Sequence, residues 1–163
     1  MTAVRTITTL APAAAALALG AVGTAIGAAP KLGSCQAAAP IIDHFSTNRP
    51  WRWLGECPNG RAEGLGVLRM GTDDDGFTLF IGRMHAGRPV AGLLDKGLLM
   101  VAKAFTPAGV AIQPDGNVPE EKQAVFTLAR RAALTTSRWL AARGSRASAA
   151  WYREKADGIR EPE

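Results

Sequence analysis

Aromatic side chains are scarce in this chain: they make up 6% of it, with a single tyrosine. The hydrophobic share is 47%, but much of it is alanine. The 163 residues therefore suffice for one modest domain with a small core of Leu, Val, Phe and Trp. Only two cysteines and two histidines are present, Cys35, His44, Cys57 and His85. No two of them have the close spacing of a metal-ligand pair, which argues against zinc. No glycine-rich loop opens a helix to cradle phosphate; Gly64-Leu65-Gly66 falls in a strand pattern instead. Asp73-Asp74-Asp75-Gly76 lacks the alternating ligands and distal Glu of an EF-hand, and is expected as a solvated hairpin tip. Asp43, His44 and Ser46 have the residue types of a catalytic triad, but adjacent residues of an extended chain point to opposite sides. His85 is expected as an exposed turn residue. No catalytic residue, metal or cofactor is therefore expected.

Charge is missing near the N-terminus. Arg5 is the only charged residue before Lys31, and the run between them is rich in Ala, Leu and Gly. A basic start, an apolar stretch and small residues at its end read as a secretory signal. Ala25-Ile26-Gly27 is an acceptable cleavage site. The alternatives are an uncleaved membrane anchor, weakened by Pro12 and the Ala/Gly content, and a lipoprotein at Leu32-Gly33-Ser34-Cys35, where Lys31 replaces an apolar residue. Export brings an oxidising compartment, in which Cys35 and Cys57 are expected to pair. Such a bridge closes roughly twenty residues and stabilises by about 3 kcal/mol in the loop-entropy model. Two free thiols are the alternative if the leader is not a leader.

Glycine, by contrast, is concentrated in WRWLGECPNGRAEGLGVL. In Trp53-Leu54-Gly55-Glu56-Cys57, alternate residues share one strand face. Pro58-Asn59-Gly60 is turn chemistry, with Gly60 suited to the left-handed conformation. Gly64 and Gly66 then fall on one face of the returning strand. Bare glycine lets a ring approach the backbone, so Trp53 is expected to lie on these glycines. Gly71 is placed in a connecting loop.

This pattern resembles the MORN repeat: aromatic Trp53, Gly55, turn Gly60, then Gly64-x-Gly66. Glu56 and Glu63 stand where that repeat is often polar. A second, degraded copy begins 27 residues later with Phe80, Gly82 and Gly87. There Ala91 and Leu93 replace the glycine pair, and Gly92 lies between them. The resemblance covers residues 53 to 94, about a quarter of the chain. It implies stacked antiparallel hairpins and a role in protein interaction, dimerisation or lipid contact.

Further along, Leu98 to Phe105 reads as a strand, Thr106-Pro107-Ala108-Gly109 as a turn and Val110-Ala111-Ile112 as a short return. About six strands in three sequential hairpins result. Pro119-Glu120-Glu121 opens a helix, in which Val125, Leu128, Ala129, Ala132, Trp139 and Leu140 recur at helical spacing and Gly144 is the stop. Ser145 to Asp157 forms a second helix, stopped by Gly158.

Acidic residues are absent from Lys122 to Arg153, where seven basic ones occur. Arg130, Arg131 and Arg138 lie opposite the Leu128–Trp139 stripe, either as an amphipathic basic face for an anionic surface or as an ordinary solvated face. The whole chain has net charge +5 and a pI near 9.8, which favours anionic partners without choosing among them. Nucleic acid is set aside because no binding motif is present and an exported protein rarely meets it.

The expected organisation is a signal peptide or weak anchor over 1–29, an extended linker over 30–50, a MORN-like sheet over 51–116, a helical region over 117–158 and a frayed tail over 159–163. The fold class is α+β, an antiparallel β-meander followed by C-terminal helices. The expected function is an exported, periplasmic or extracellular, non-enzymatic binding or scaffold module. Its partner is a protein or an anionic envelope surface, and it can form a homodimer. The alternative is a small cell-envelope enzyme or enzyme accessory with a site in the sheet groove. Trp53 and Phe80 on an open sheet face, with Arg130, Arg131 and Arg138, are the candidate binding residues. Gly55, Gly60, Gly64, Gly66, Gly82 and Gly87 are the structural glycines.

Overall fold

A computed structural model describes residues 35–38, 51–72, 76–116 and 118–160. The leader, most of the linker, the Asp73–Asp75 tip and the last three residues lie outside the described residues. So do Asp43, His44 and Ser46.

Five strands form one antiparallel meander in the order β1-β2-β3-β4-β5. They are β1 (Trp51–Glu56), β2 (Glu63–Gly71), β3 (Phe77–His85), β4 (Arg88–Asp95) and β5 (Leu99–Ala102). A separate two-stranded ribbon, β6 (Ala104–Phe105) with β7 (Ala111–Ile112), follows. Helices α1 (Pro119–Ala141) and α2 (Arg146–Gly158) follow the ribbon. The α+β meander is thus as the sequence predicts. The strand count differs, because the expected strand Leu98 to Phe105 breaks at Lys103. The Lys103 ammonium is held by Glu121 Oε2 at 2.8 Å and Asp115 Oδ2 at 3.6 Å. Its backbone N–H donates to Ile112 O, 2.9 Å away, so the chain leaves β4 and continues as the ribbon.

Both faces of the sheet are covered. Alternate residues Leu54, Val67, Leu79, Ile81 and Leu93 pack against Val125, Phe126, Ala129, Ala132, Ala133 and Leu140 of α1. Alanine at three of those helix positions lets the helix axis approach the sheet closely. α2 packs mainly on α1, adding Ala149, Tyr152 and Ala156 to this core. Two buried hydroxyls fix the helices: Thr136 Oγ1 donates to Leu54 O at 2.9 Å, and Ser137 Oγ to Ala149 O at 2.7 Å.

The opposite face carries Trp53, Leu68, Met70, Phe80, Met84, Leu94 and Ala102. Phe105 of the ribbon meets Phe80 edge-on at 5.6 Å. Here the glycines act. Gly66, Gly82 and Gly92 stand side by side on β2, β3 and β4. A Cβ on Gly55 would lie 2.8 Å from Trp53 Cε2, and one on Gly66 2.6 Å from Trp53 Cζ2. The indole therefore lies on Gly55 and Gly66, and its Nε1–H donates to Glu56 O at 2.8 Å. Phe80 repeats the arrangement: a Cβ on Gly82 would lie 2.9 Å from Phe80 Cζ, and one on Gly92 2.7 Å from Phe80 Cε2. Gly92 thus takes in the second unit the place of Gly66 in the first, a match that position counting along the sequence misses by one residue. Irregularities in pairing at Leu54/Glu56 and at Arg83/Met84 shift the count.

Two glycine expectations need correction. Gly64 is not under a ring; a Cβ there meets nothing within 4 Å, and its role is its left-handed φ of +72°. Gly71 is not in a free loop but ends β2 with φ +102°, and a Cβ there would meet Gly76 O at 2.5 Å.

Candidate functional site

Three surface features bring together side chains that are far apart in sequence. The first is at the hairpin tips. Segment 35–38 is tied to both of them: Gln36 N–H donates to Gly60 O at 2.7 Å, Ala62 N–H to Gln36 O at 2.8 Å, and Ala38 N–H to Gly87 O at 2.6 Å. The Cys35–Cys57 disulfide, with Cα atoms 5.9 Å apart, anchors this strap covalently as the cysteine count predicts. Beside it the β3–β4 turn places Ala86 at φ 48° and Gly87 at φ 80°, the paired left-handed geometry of a tight hairpin. The Glu63 carboxylate accepts the Ala86 N–H at 2.8 Å and lies 3.0 Å from His85 Nδ1. The Ala86 hydrogen bond, and then that of His85, lower the Glu63 pKa below its ordinary value. His85 is exposed, as expected, but not alone: Glu63 joins it to the turn.

The second feature is a cleft of about 450 Å³ between α2 and the β4–β5 turn. Asp95, Leu99, Trp151, Glu154, Lys155 and Ile159 line it. Asp95 Oδ2 forms an ion pair with Lys155 Nζ, and its Oδ1 accepts the Gly97 N–H at 3.0 Å. Trp151 is gripped edge-on by Phe77 at 6.0 Å and Tyr152 at 4.8 Å, yet keeps 40% of its surface exposed. Arg69 lies 4.2 Å over the Phe77 ring, so a cation backs the aromatic group.

The third is the outward side of the helices. The buried stripe of α1 runs through Val125, Phe126, Ala129, Ala132, Ala133, Thr136, Ser137 and Leu140. Leu128 and Trp139, expected as members of this stripe, are half-buried at its flank. Arg143 covers the Trp139 ring at 3.8 Å, and Trp139 Nε1 is buried with no hydrogen-bond partner among the described residues. Arg130, Arg131 and Arg138 are all exposed. Arg130 reaches Asp157 of α2 at 4.0 Å. Arg146 and Arg153 of α2 are exposed as well.

The candidate binding residues therefore divide. The arginines lie at the surface. Trp53 and Phe80, expected on an open face, are 3% and 0% exposed and serve as core, because the sheet is covered on both sides. The Asp95–Lys155–Trp151 group and the Glu63–His85 pair had no sequence signal: each joins elements whose proximity only the tertiary fold creates. Among the described residues, no group of three or more His, Cys, Asp or Glu is placed to hold a metal ion. Comparison with family models, with curated proteins and with solved structures finds no match to this chain. The disulfide-bonded pair is compatible with an exported protein.

Proposed function

We propose that this protein is an exported, periplasmic or extracellular, non-enzymatic binding module. In this reading a MORN-like sheet is the rigid scaffold and the helical layer meets an anionic envelope surface. The observation that carries it is the outward charge: Arg131, Arg138, Arg146 and Arg153 are exposed, and among the described residues none of the four is in an ion pair. Solvated cations held on a packed frame attract an anionic surface without the cost of ordering a flexible tail. The MORN-like part is supported by the repeated packing of Trp53 on Gly55 and Gly66 and of Phe80 on Gly82 and Gly92. The Glu63–His85 pair does not favour the enzyme alternative. Its carboxylate is used in holding the turn at Ala86.

The test is cosedimentation of the protein with vesicles of phosphatidylglycerol and phosphatidylcholine, against phosphatidylcholine alone. Binding is expected only to the anionic vesicles and falls as salt is raised. Each arginine near such a surface contributes about 1 kcal/mol, so Arg131→Gln with Arg138→Gln should weaken it roughly thirtyfold. Equal binding to neutral vesicles, or no effect of the double substitution, overturns the reading.

A further inference from the structure

The cleft between α2 and the β4–β5 turn has the chemistry of a small-molecule site that neither the cationic helix face nor the sheet explains. Its volume of about 450 Å³ lies within the range of roughly 300–1,000 Å³ found for such sites. One wall is aromatic and aliphatic: Trp151 and Leu99 are 40% and 41% exposed. Trp151 is large and apolar, yet the fold does not bury it. It is instead held in place by Phe77 and Tyr152, whose planes stand at 71° and 87° to its own. The Lys155 ammonium also stands over the ring, 5.7 Å from its centroid. The indole is thus fixed by its neighbours while 40% of Trp151 stays exposed, and a group that packs on that exposed part costs it little conformational entropy.

The polar wall adjoins this ring and places an acceptor beside a donor. Asp95 and Lys155 form an ion pair in which the Asp95 side chain is 11% exposed and the Lys155 side chain 31%. Gly97 N–H holds the remaining Asp95 oxygen at 3.0 Å, so the carboxylate is oriented. Glu154 adds a second carboxylate at the rim. An anionic ligand would meet Asp95 and Glu154, and a cationic one would compete with Lys155 for the same carboxylate. Neighbouring hydroxyls suit this wall better. Each can donate to a carboxylate and accept from an ammonium, while an adjoining face of C–H groups packs on the indole. Vicinal hydroxyls on an apolar ring face are the surface of a pyranose sugar.

We propose that this cleft binds a neutral pyranose saccharide, with its C–H face on Trp151 and its hydroxyls shared by Asp95 and Lys155. The site is separate from the cationic helix face and does not rest on it. A sugar polymer is chemically distinct from a lipid surface, and either contact can exist without the other.

The test is a titration of the full chain with cellotetraose and with the tetramer of N-acetylglucosamine, followed by NMR. The four tryptophans, Trp51, Trp53, Trp139 and Trp151, give separate indole N–H signals, and Trp151→Phe assigns the one that matters. Saturable shifts centred on the Trp151 indole and on the Gly97 amide, with at least one of the two sugars, are expected. Asp95→Asn should weaken binding tenfold or more at an unchanged fold. Arg131→Gln with Arg138→Gln should leave it unchanged, which separates this result from that of the vesicle experiment. Absence of saturable shifts with both sugars overturns the proposal, and so do shifts centred away from Trp151. Because the mapping is made on the unsubstituted protein, a variant that fails to fold does not weaken the test.

Discussion

At the scale of single residues, the glycines of this protein do two different jobs, and substitution separates them. Gly66 has no room for a side chain: a Cβ would lie 2.6 Å from Trp53 Cζ2 and 2.7 Å from Leu54 O. Gly64 has room but needs φ +72°. Asparagine tolerates that conformation far better than valine does. Gly64→Asn should therefore cost little in a thermal melt and Gly64→Val about 1–2 kcal/mol. Gly66→Asn and Gly66→Val should both cost about 1–3 kcal/mol or more, because overpacking does not depend on backbone preference. The neutral reference is Gly116→Val, where a Cβ meets nothing within 4 Å and φ is not left-handed. Gly66→Val melting at the parent temperature would overturn the ring-on-glycine packing. Ala86 tests the opposite case, a side chain where glycine is preferred. Its φ of 48° stores strain, so Ala86→Gly should leave stability equal or raise it by up to about 1 kcal/mol, after subtracting the added freedom of the unfolded chain.

Between elements, three polar contacts join parts distant in sequence, and two of them titrate. Glu63 of β2 caps the β3–β4 turn, and its pKa is lowered by the Ala86 N–H and by His85. A lowered carboxylate pKa contributes stability that is present above the unfolded value and is lost as pH falls through the folded one. Lys103 joins the ribbon to α1, and its pKa is raised, first by the hydrogen bond to Glu121. That contribution is present below the unfolded lysine value and is lost as pH rises through the folded one. Stability measured by denaturant titration should thus fall at both limbs. Glu63→Gln should flatten the acid limb and leave the alkaline limb intact, and Lys103→Met should do the reverse. An acid limb identical in Glu63→Gln and the parent would remove Glu63 from the account. The third contact does not titrate. Thr136→Val keeps the shape of the side chain but leaves the buried Leu54 carbonyl without the donor it has at 2.9 Å. A loss of about 1–3 kcal/mol is expected in chemical unfolding.

For the whole molecule, the disulfide matters because it closes a circuit rather than a loop. Cys35–Cys57 fastens segment 35–38, which in turn bonds the tips of two successive hairpins through Gly60, Ala62 and Gly87. Replacing both cysteines with serine should lower stability by about 3 kcal/mol. Amide exchange should then quicken at Gly87 and Ala62 as well as at Gln36, because Gly87 N–H donates to Ala62 O at 2.9 Å within the same network. Faster exchange confined to residues 35–38 would show that the strap is passive.

Apart from the break at Lys103 that divides β5 from β6, the sequence by itself determined the order and type of the elements, since those follow from local chemistry. Pro58-Asn59-Gly60 turns, Pro119 begins a helix and Gly144 separates two helices. The cysteine pairing was legible because only one pair exists to form. The aromatic-on-glycine motif was legible in part: alternation put Gly66 under Trp53 correctly, but it put Gly64 there too, where the left-handed φ of +72° takes the position away from the ring. Only the tertiary structure decided what lies against what. It buried Trp53 and Phe80, which alternation alone left open, because burial depends on which layers cover a face. It moved Gly92 into register with Gly66, because a pairing irregularity adds or removes a residue without altering the local pattern. It set Asp95 beside Lys155 and Glu63 beside His85. Those pairs span a hairpin or a helical layer, and no sequence period connects residues whose nearness arises only when the chain folds back on itself.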